Sequence, residues 1–203
     1  MALEIIGTPN SNFVRTVRMV AEEKGVFYEN SPDMPHSDVI KLLHPMGQVP
    51  VMKHDDFQLF ESMAIARYID TAFDGPPLVP ANPEAAARTI QWASFAQTSV
   101  DQLIMRQYVL EYLFNKDESG NLVRDNIDKV VNKISKIFRT LDEAVSGGYF
   151  GSNEFSMADC FLMPIISYGQ MFPEGKEALE SGKHLKLYFD KLSERPSFNK
   201  TAT

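Results

Sequence analysis

The chain has 203 residues, 44% of them apolar and 23% charged, which suits one large domain or two small ones with packed cores. A net charge of −7 disfavours nucleic acid and anionic membranes as partners, since both need clustered Lys and Arg. One cysteine, Cys160, excludes an intrachain disulfide, and no Cys/His cluster has zinc spacing, so neither a metal nor a bound cofactor is expected.

No apolar run reaches the roughly 18 residues of a membrane span, and residues 1–20 carry no signal-peptide pattern. With so few thiols, this predicts a cytoplasmic protein. Leu3-Glu4-Ile5-Ile6 reads as a strand, and Gly7-Thr8-Pro9-Asn10-Ser11 as a dense turn. Val14, Val17, Arg18 and Ala21 then recur at helical spacing, with Gly25 closing the helix. Val26-Phe27-Tyr28-Glu29 follows as a second strand. A crossover of this length argues for parallel pairing. A short helix is expected over Asp38 to Leu43. Val49 to Lys53 and Phe57 to Phe60 form a hairpin around His54-Asp55-Asp56. Ser62 to Phe73 closes a β-α-β-α-β-β-α unit as a helix.

Residues 75–84 are proline-rich and read as a linker between a domain at 1–74 and a second at 85–203. Everything beyond reads as helix. One helix runs from Pro83 to about Asn115. The next carries an apolar stripe from Leu122 through Ile127, Val130, Ile134, Phe138 and Leu141 to Val145. Ser156-Met157-Ala158-Asp159 is a capping-box arrangement opening another, with Pro164 inside it. A last helix spans Leu185 to Ser193.

Two stretches invite a chemical reading: Gly47-Gln48-Val49-Pro50-Val51, and Glu61-Ser62 at the start of a helix. Taken alone, Pro50 starts an edge strand and Glu61-Ser62 cap a helix. Five segments in order change that. Gly7 to Ser11, Gly47 to Pro50, Glu61-Ser62 with Ala64-Ile65 and Tyr68-Ile69, Ser156 to Asp159, and Glu194-Arg195-Pro196-Ser197-Phe198 together resemble the cytosolic glutathione S-transferase superfamily. The first three are most similar to its serine-type, phi-like branch and related bacterial members.

The resemblance implies an α/β N-terminal thioredoxin-like domain plus an all-α C-terminal domain. It implies glutathione as co-substrate, with Gln48, Val49, Pro50, Glu61 and Ser62 holding the tripeptide and a cis peptide before Pro50. It implies that Ser11, at a helix N-terminus, hydrogen-bonds the glutathione sulfur and favours the thiolate. Asn10 and Asn12 are alternative donors. Phi-like members tend to have a His-Lys pair before the second helix. Here Pro35-His36 stands there, leaving His36 or Lys41 for the glycine carboxylate. His44, before Pro45, reads as a loop-packing residue. Met105, Tyr108, Val109, Tyr112, Tyr168 and Phe172 form a Met/aromatic set suited to an apolar second-substrate pocket. The implied function is conjugation of glutathione to a small apolar electrophile by a homodimer with Phe57 and Phe60 near its interface. A glutathione-dependent peroxidase or disulfide reductase, or a non-catalytic binding protein, is the alternative.

Overall fold

A short apolar run builds β1 (Leu3–Ile6), whose Leu3, Ile5 and Ile6 are all buried. The computed structural model describes residues 3–202. Ser11 caps α1 (Asn12–Lys24), and Gly25 ends it in the left-handed conformation at φ 68°. The Val26 N–H bonds back to the Ala21 carbonyl at 2.9 Å. Val26 is thus spent on terminating the helix. β2 (Tyr28–Ser31) therefore begins two residues later than the apolar pattern suggests. It pairs parallel to β1, as the crossover length predicts.

α2 (Asp38–Leu43), β3 (Val51–His54), β4 (Phe57–Phe60) and α3 (Ser62–Ala72) complete the expected order. The sheet runs β2-β1-β3-β4, with β3 antiparallel to both β1 and β4. α1 and α3 pack together, burying Val14, Val17, Ile65 and Ile69. On another part of the sheet, Ile6, Ile40 and Val51 form a cluster with Leu43 and Val49. This is the thioredoxin-like arrangement.

This unit is larger than residues 1–74. It comprises residues 3–81 together with 193–202. Two contact sets explain the difference. The Lys24 ammonium donates to the Gly75 and Pro76 carbonyls, and the buried Asp70 carboxylate accepts the Leu78 N–H at 2.8 Å, so the start of the linker is fastened to α1 and α3. At the other terminus, Arg195 makes a bidentate pair with Glu23 at 2.8 and 2.7 Å, and the Ser197 hydroxyl donates to the same carboxylate. Arg15 lies 4.1 Å from the centre of the Phe198 ring and donates to the Phe198 carbonyl.

The second unit, residues 82–192, is helical. Pro83 opens α4 (Pro83–Phe95) from its first turn, capped by Asn82. The rod continues without a break through a π-helical stretch (Ala96–Val109) into α5 (Leu110–Phe114), matching the single long helix expected. The apolar stripe that follows is divided between α6 (Asp125–Asp128) and α7 (Val131–Ala144). Its buried members, Ile127, Val130, Ile134, Phe138, Leu141 and Val145, keep helical spacing across the junction.

α8 (Met157–Gly169) carries the Ser156/Asp159 capping box and runs through Pro164. Next come α9 (Pro173–Ser181) and α10 (Lys183–Ser193). A short α11 (Pro196–Lys200) belongs to the first unit. The apolar pattern does not reveal α9. It buries only Gly175 and Leu179, and Pro173 is its one sequence signal.

Candidate functional site

Strand register assembles the candidate site. Ile6 pairs with Val51, and Val51 pairs with Phe60. One step beyond these partners lie Gly7, Pro50 and Glu61. The loop leading to Ser11, the Val49–Pro50 peptide and the start of α3 are therefore neighbours at one end of the sheet. Gly7 makes this possible. At φ 146°, a Cβ there would lie 2.7 Å from Val14 Cγ2 and 2.8 Å from Val49 Cβ. The Val49–Pro50 bond is cis.

Ser11 is the residue before α1. Its hydroxyl oxygen accepts the Val14 N–H at 3.4 Å, a long capping bond. An oxygen that accepts in this way still has its own proton to donate. Asn10 is exposed and Asn12 is buried, so Ser11 sits between a solvent-facing and a core-facing amide.

Glu61 precedes α3 with φ 72° and ψ 116°, a conformation that a residue bearing a Cβ seldom adopts. Its carboxylate is exposed, 4.0 Å from His44 Nε2. Ser62 is buried at the first position of α3, where backbone N–H groups lack partners within the helix. Gln48 is exposed between Gly47 and Val49. His36 is exposed at φ 65°, and its N–H donates to the Gly47 carbonyl at 2.7 Å. The segments holding Gln48 and His36 are thus tied to each other. Lys41 instead lies 3.6 Å from Asp38 on α2.

The aromatic set in the helical unit is differently placed. Tyr108 and Val109 are fully buried, which makes them core side chains rather than a ligand surface. Tyr112 stacks on Phe172 at 4.3 Å, and Tyr108 meets Tyr112 edge-on. The Tyr108 hydroxyl donates to Glu174 and accepts the Gly175 N–H. The Tyr112 hydroxyl donates to Glu174 at 2.6 Å and accepts from Arg124 at 2.7 Å. Arg124 also pairs directly with Glu174.

Both phenols are thus engaged within their own unit. Burial raises the Tyr108 hydroxyl well above its usual range. Burial also acts to raise the Glu174 carboxyl, but the hydrogen bonds from Tyr112, Arg124 and Tyr108 overcome it and hold the group at about 2. Sequence reasoning missed Glu174 and Arg124, because nothing local marks an acid 66 residues beyond Tyr108 as its partner. Met105 is buried, and Tyr168 is half-buried.

Among the described residues, no group of three or more His, Cys, Asp or Glu side chains is placed to hold a metal ion. No helix among them is long and apolar enough to cross a membrane.

Comparison with known proteins bears on both units. The profile of the glutathione S-transferase N-terminal domain matches residues 5–77, and that of the C-terminal domain matches residues 104–196. A glutathione S-transferase of Silene vulgaris is 26% identical, over 99% of this chain and 97% of its own. A stringent starvation protein A homolog of Haemophilus ducreyi is also 26% identical, over 98% of this chain and 89% of its own. The crystal structure of glutathione transferase F7 from Populus trichocarpa superposes with a TM-score of 0.88 at 25% identity, covering 98% of this chain and 97% of that one. A thioredoxin-like unit and a helical unit, each recognised by its own domain profile and found in the same order in relatives of the same length, leave one assignment: the chain belongs to the glutathione S-transferase superfamily.

Proposed function

We propose that this protein is a glutathione transferase that joins the glutathione sulfur to apolar electrophiles. The observation that carries the reading is the shared register Ile6–Val51–Phe60, which sets the Ser11 loop, the Val49–Pro50 peptide and Glu61-Ser62 side by side. Glutathione has a γ-glutamyl α-carboxylate, an α-amino group, a central cysteine and a terminal glycine carboxylate. Ser62 and the first N–H groups of α3 suit the α-carboxylate, where the helix dipole is positive. Glu61 suits the amino group. The Val49 backbone beside Pro50 suits the cysteinyl peptide as a short strand pairing. Gln48 and His36 remain for the glycyl end.

Ser11 then faces the sulfur. Its donated hydrogen bond and the N-terminus of α1 both stabilise a thiolate, so the thiol ionises below its ordinary value of about 8.5 and the proton passes to solvent. The thiolate forms the new C–S bond as the electrophile's leaving group departs with its electron pair. Holding both reactants together lowers the barrier further. Tyr168 and Phe172, half-buried, and the small exposed edges of Met105 and Tyr112 are the parts of the aromatic set available to the electrophile. Exposed Phe57 and Phe60 on β4 are assigned to a homodimer interface, and the cytoplasm is the assigned compartment.

Two measurements test this. Glutathione binding by the wild type is expected, and its absence overturns the reading. Conjugation to an aryl halide is then expected to fall in Ser11→Ala, and equal rates would remove Ser11 from the mechanism. The second reading, glutathione binding without transferase chemistry, is favoured by the similarity to a stringent starvation protein A homolog. Binding with neither conjugation nor reduction of a mixed glutathione disulfide would select it. Disulfide reduction without conjugation would select a reductase using the same site.

A further inference from the structure

We propose that His44 is a positioning residue for Glu61, presenting a fixed N–H donor that holds the carboxylate toward the ligand's amino group. This rests on the glutathione reading and deepens it. His44 ends α2, with its N–H on the Ile40 carbonyl at 2.8 Å. Its own carbonyl accepts the Gly47 N–H at 2.9 Å, closing a turn over Pro45 and Met46. Gln58 of β4 donates to the adjacent Leu43 carbonyl at 3.0 Å and fastens the end of α2 to the sheet. The imidazole itself is 4% exposed and packs against the Phe60 ring, with centroids 4.8 Å apart. Backbone and ring are both immobilised.

The two ring nitrogens have different surroundings. Nδ1 accepts the Met46 N–H at 3.0 Å. An accepting nitrogen bears no proton, so the hydrogen of the neutral ring sits on Nε2. Nε2 is the atom 4.0 Å from Glu61 Oε1. The loop thus sets the tautomer, and the tautomer aims a donor at the carboxylate. Glu61 needs such a constraint. Its backbone is held in a sparsely populated region, but its side chain is long, exposed and otherwise rich in rotamers. A small rotation brings Oε1 onto Nε2–H and leaves Oε2 for an ammonium group. The bland alternative is that His44 only staples the turn through Nδ1.

Two substitutions separate these roles. The Asn oxygen of His44→Asn reaches the Nδ1 position and keeps the Met46 bond, but supplies nothing at Nε2. The Gln amide of His44→Gln reaches the Nε2 position and gives up the Met46 bond. For His44→Asn we expect the glutathione Kd and KM to rise about five- to tenfold with kcat within twofold of wild type. For His44→Gln we expect a Kd near wild type and a lower Tm. A glutathione analogue lacking the α-amino group should bind wild type and His44→Asn equally. The proposal fails if His44→Asn binds glutathione as wild type does, if both variants weaken binding alike, or if His44→Asn weakens the desamino analogue as much as glutathione. A wild type that binds no glutathione removes the functional reading itself, and this inference with it, before any variant is compared.

Discussion

Ser11 is asked to do two things with one hydroxyl: cap α1 through its oxygen and donate to sulfur through its proton. The two roles separate energetically. At 3.4 Å the cap is weak, so Ser11→Ala should cost at most about 1 kcal/mol of stability, seen as a small shift in urea midpoint. A hydrogen bond to a charged sulfur is worth roughly 1.5–3 kcal/mol, so kcat/KM should fall about ten- to a hundredfold with glutathione still bound. In the pH–rate profile, the ionisation of the bound thiol should move upward in the variant. Gly7 makes the opposite test, of shape rather than charge. Gly7→Ala puts a methyl 2.8 Å from Val49 Cβ, which is fixed to backbone, and 2.7 Å from Val14 Cγ2. A loss of about 2–3 kcal/mol is expected, with weakened glutathione binding because the displaced atoms belong to the candidate cradle. Calorimetric titration reads the second effect and thermal unfolding the first.

The capping box of α8 is the element with the sharpest energetic signature. Asp159 is fully buried, and burial pushes its carboxyl up to about 6 against the hydrogen bonds from Tyr188, Ser156 and Phe150. A folded pKa above the unfolded one favours the protonated state in the native protein. The stability it contributes is complete below about 3.8 and is lost as pH rises through 6, roughly 3 kcal/mol in all.

Glu174 has the reverse sign. Its carboxyl is depressed from 4.5 to about 2, so its contribution is present above 4.5 and lost as pH falls toward 2, up to about 3 kcal/mol. These two groups place the stability maximum between about pH 3.8 and 4.5. Thermal unfolding across pH 3–8 should show Asp159→Asn flattening the fall between about pH 4.5 and 6, and Glu174→Gln flattening the rise below about pH 4. Asp159→Asn should also lower stability by about 2–3 kcal/mol near pH 4, a deficit that closes as pH rises through 6. The Ser156 and Phe150 N–H groups bond to different carboxylate oxygens, and an amide can accept only one of them.

The Ser-x-x-Asp spacing made this cap legible in the sequence, as short apolar runs beside turn signals did for β1 and β3. The partner Tyr188, 29 residues on, was not legible, because side-chain pairing across elements leaves no periodic trace. The same holds in the candidate site. Ser11, Pro50 and Glu61-Ser62 sit beside turn and cap signals, whereas the His44–Glu61 approach exists only once α2 and β4 are packed.

At the scale of the molecule, the first unit is built from both ends of the chain. Deleting residues 194–203 should strip Arg15 and Glu23 of Phe198, Arg195 and Ser197, leaving two nearly buried charges without these partners. A loss of about 3–5 kcal/mol is expected, read as a lower Tm and as faster proteolysis within α1.

That closure has a consequence for synthesis. The thioredoxin-like segment leaves the ribosome first, but Arg15 waits for Phe198, 183 residues later. While the helical unit is being translated, the earlier segment lacks its last contacts. It can be finished only after residues 195–198 have emerged. The unit that carries the candidate active site is thus begun before the helical unit and completed after it. Chains stalled before residue 195 should expose it to chaperones and proteases.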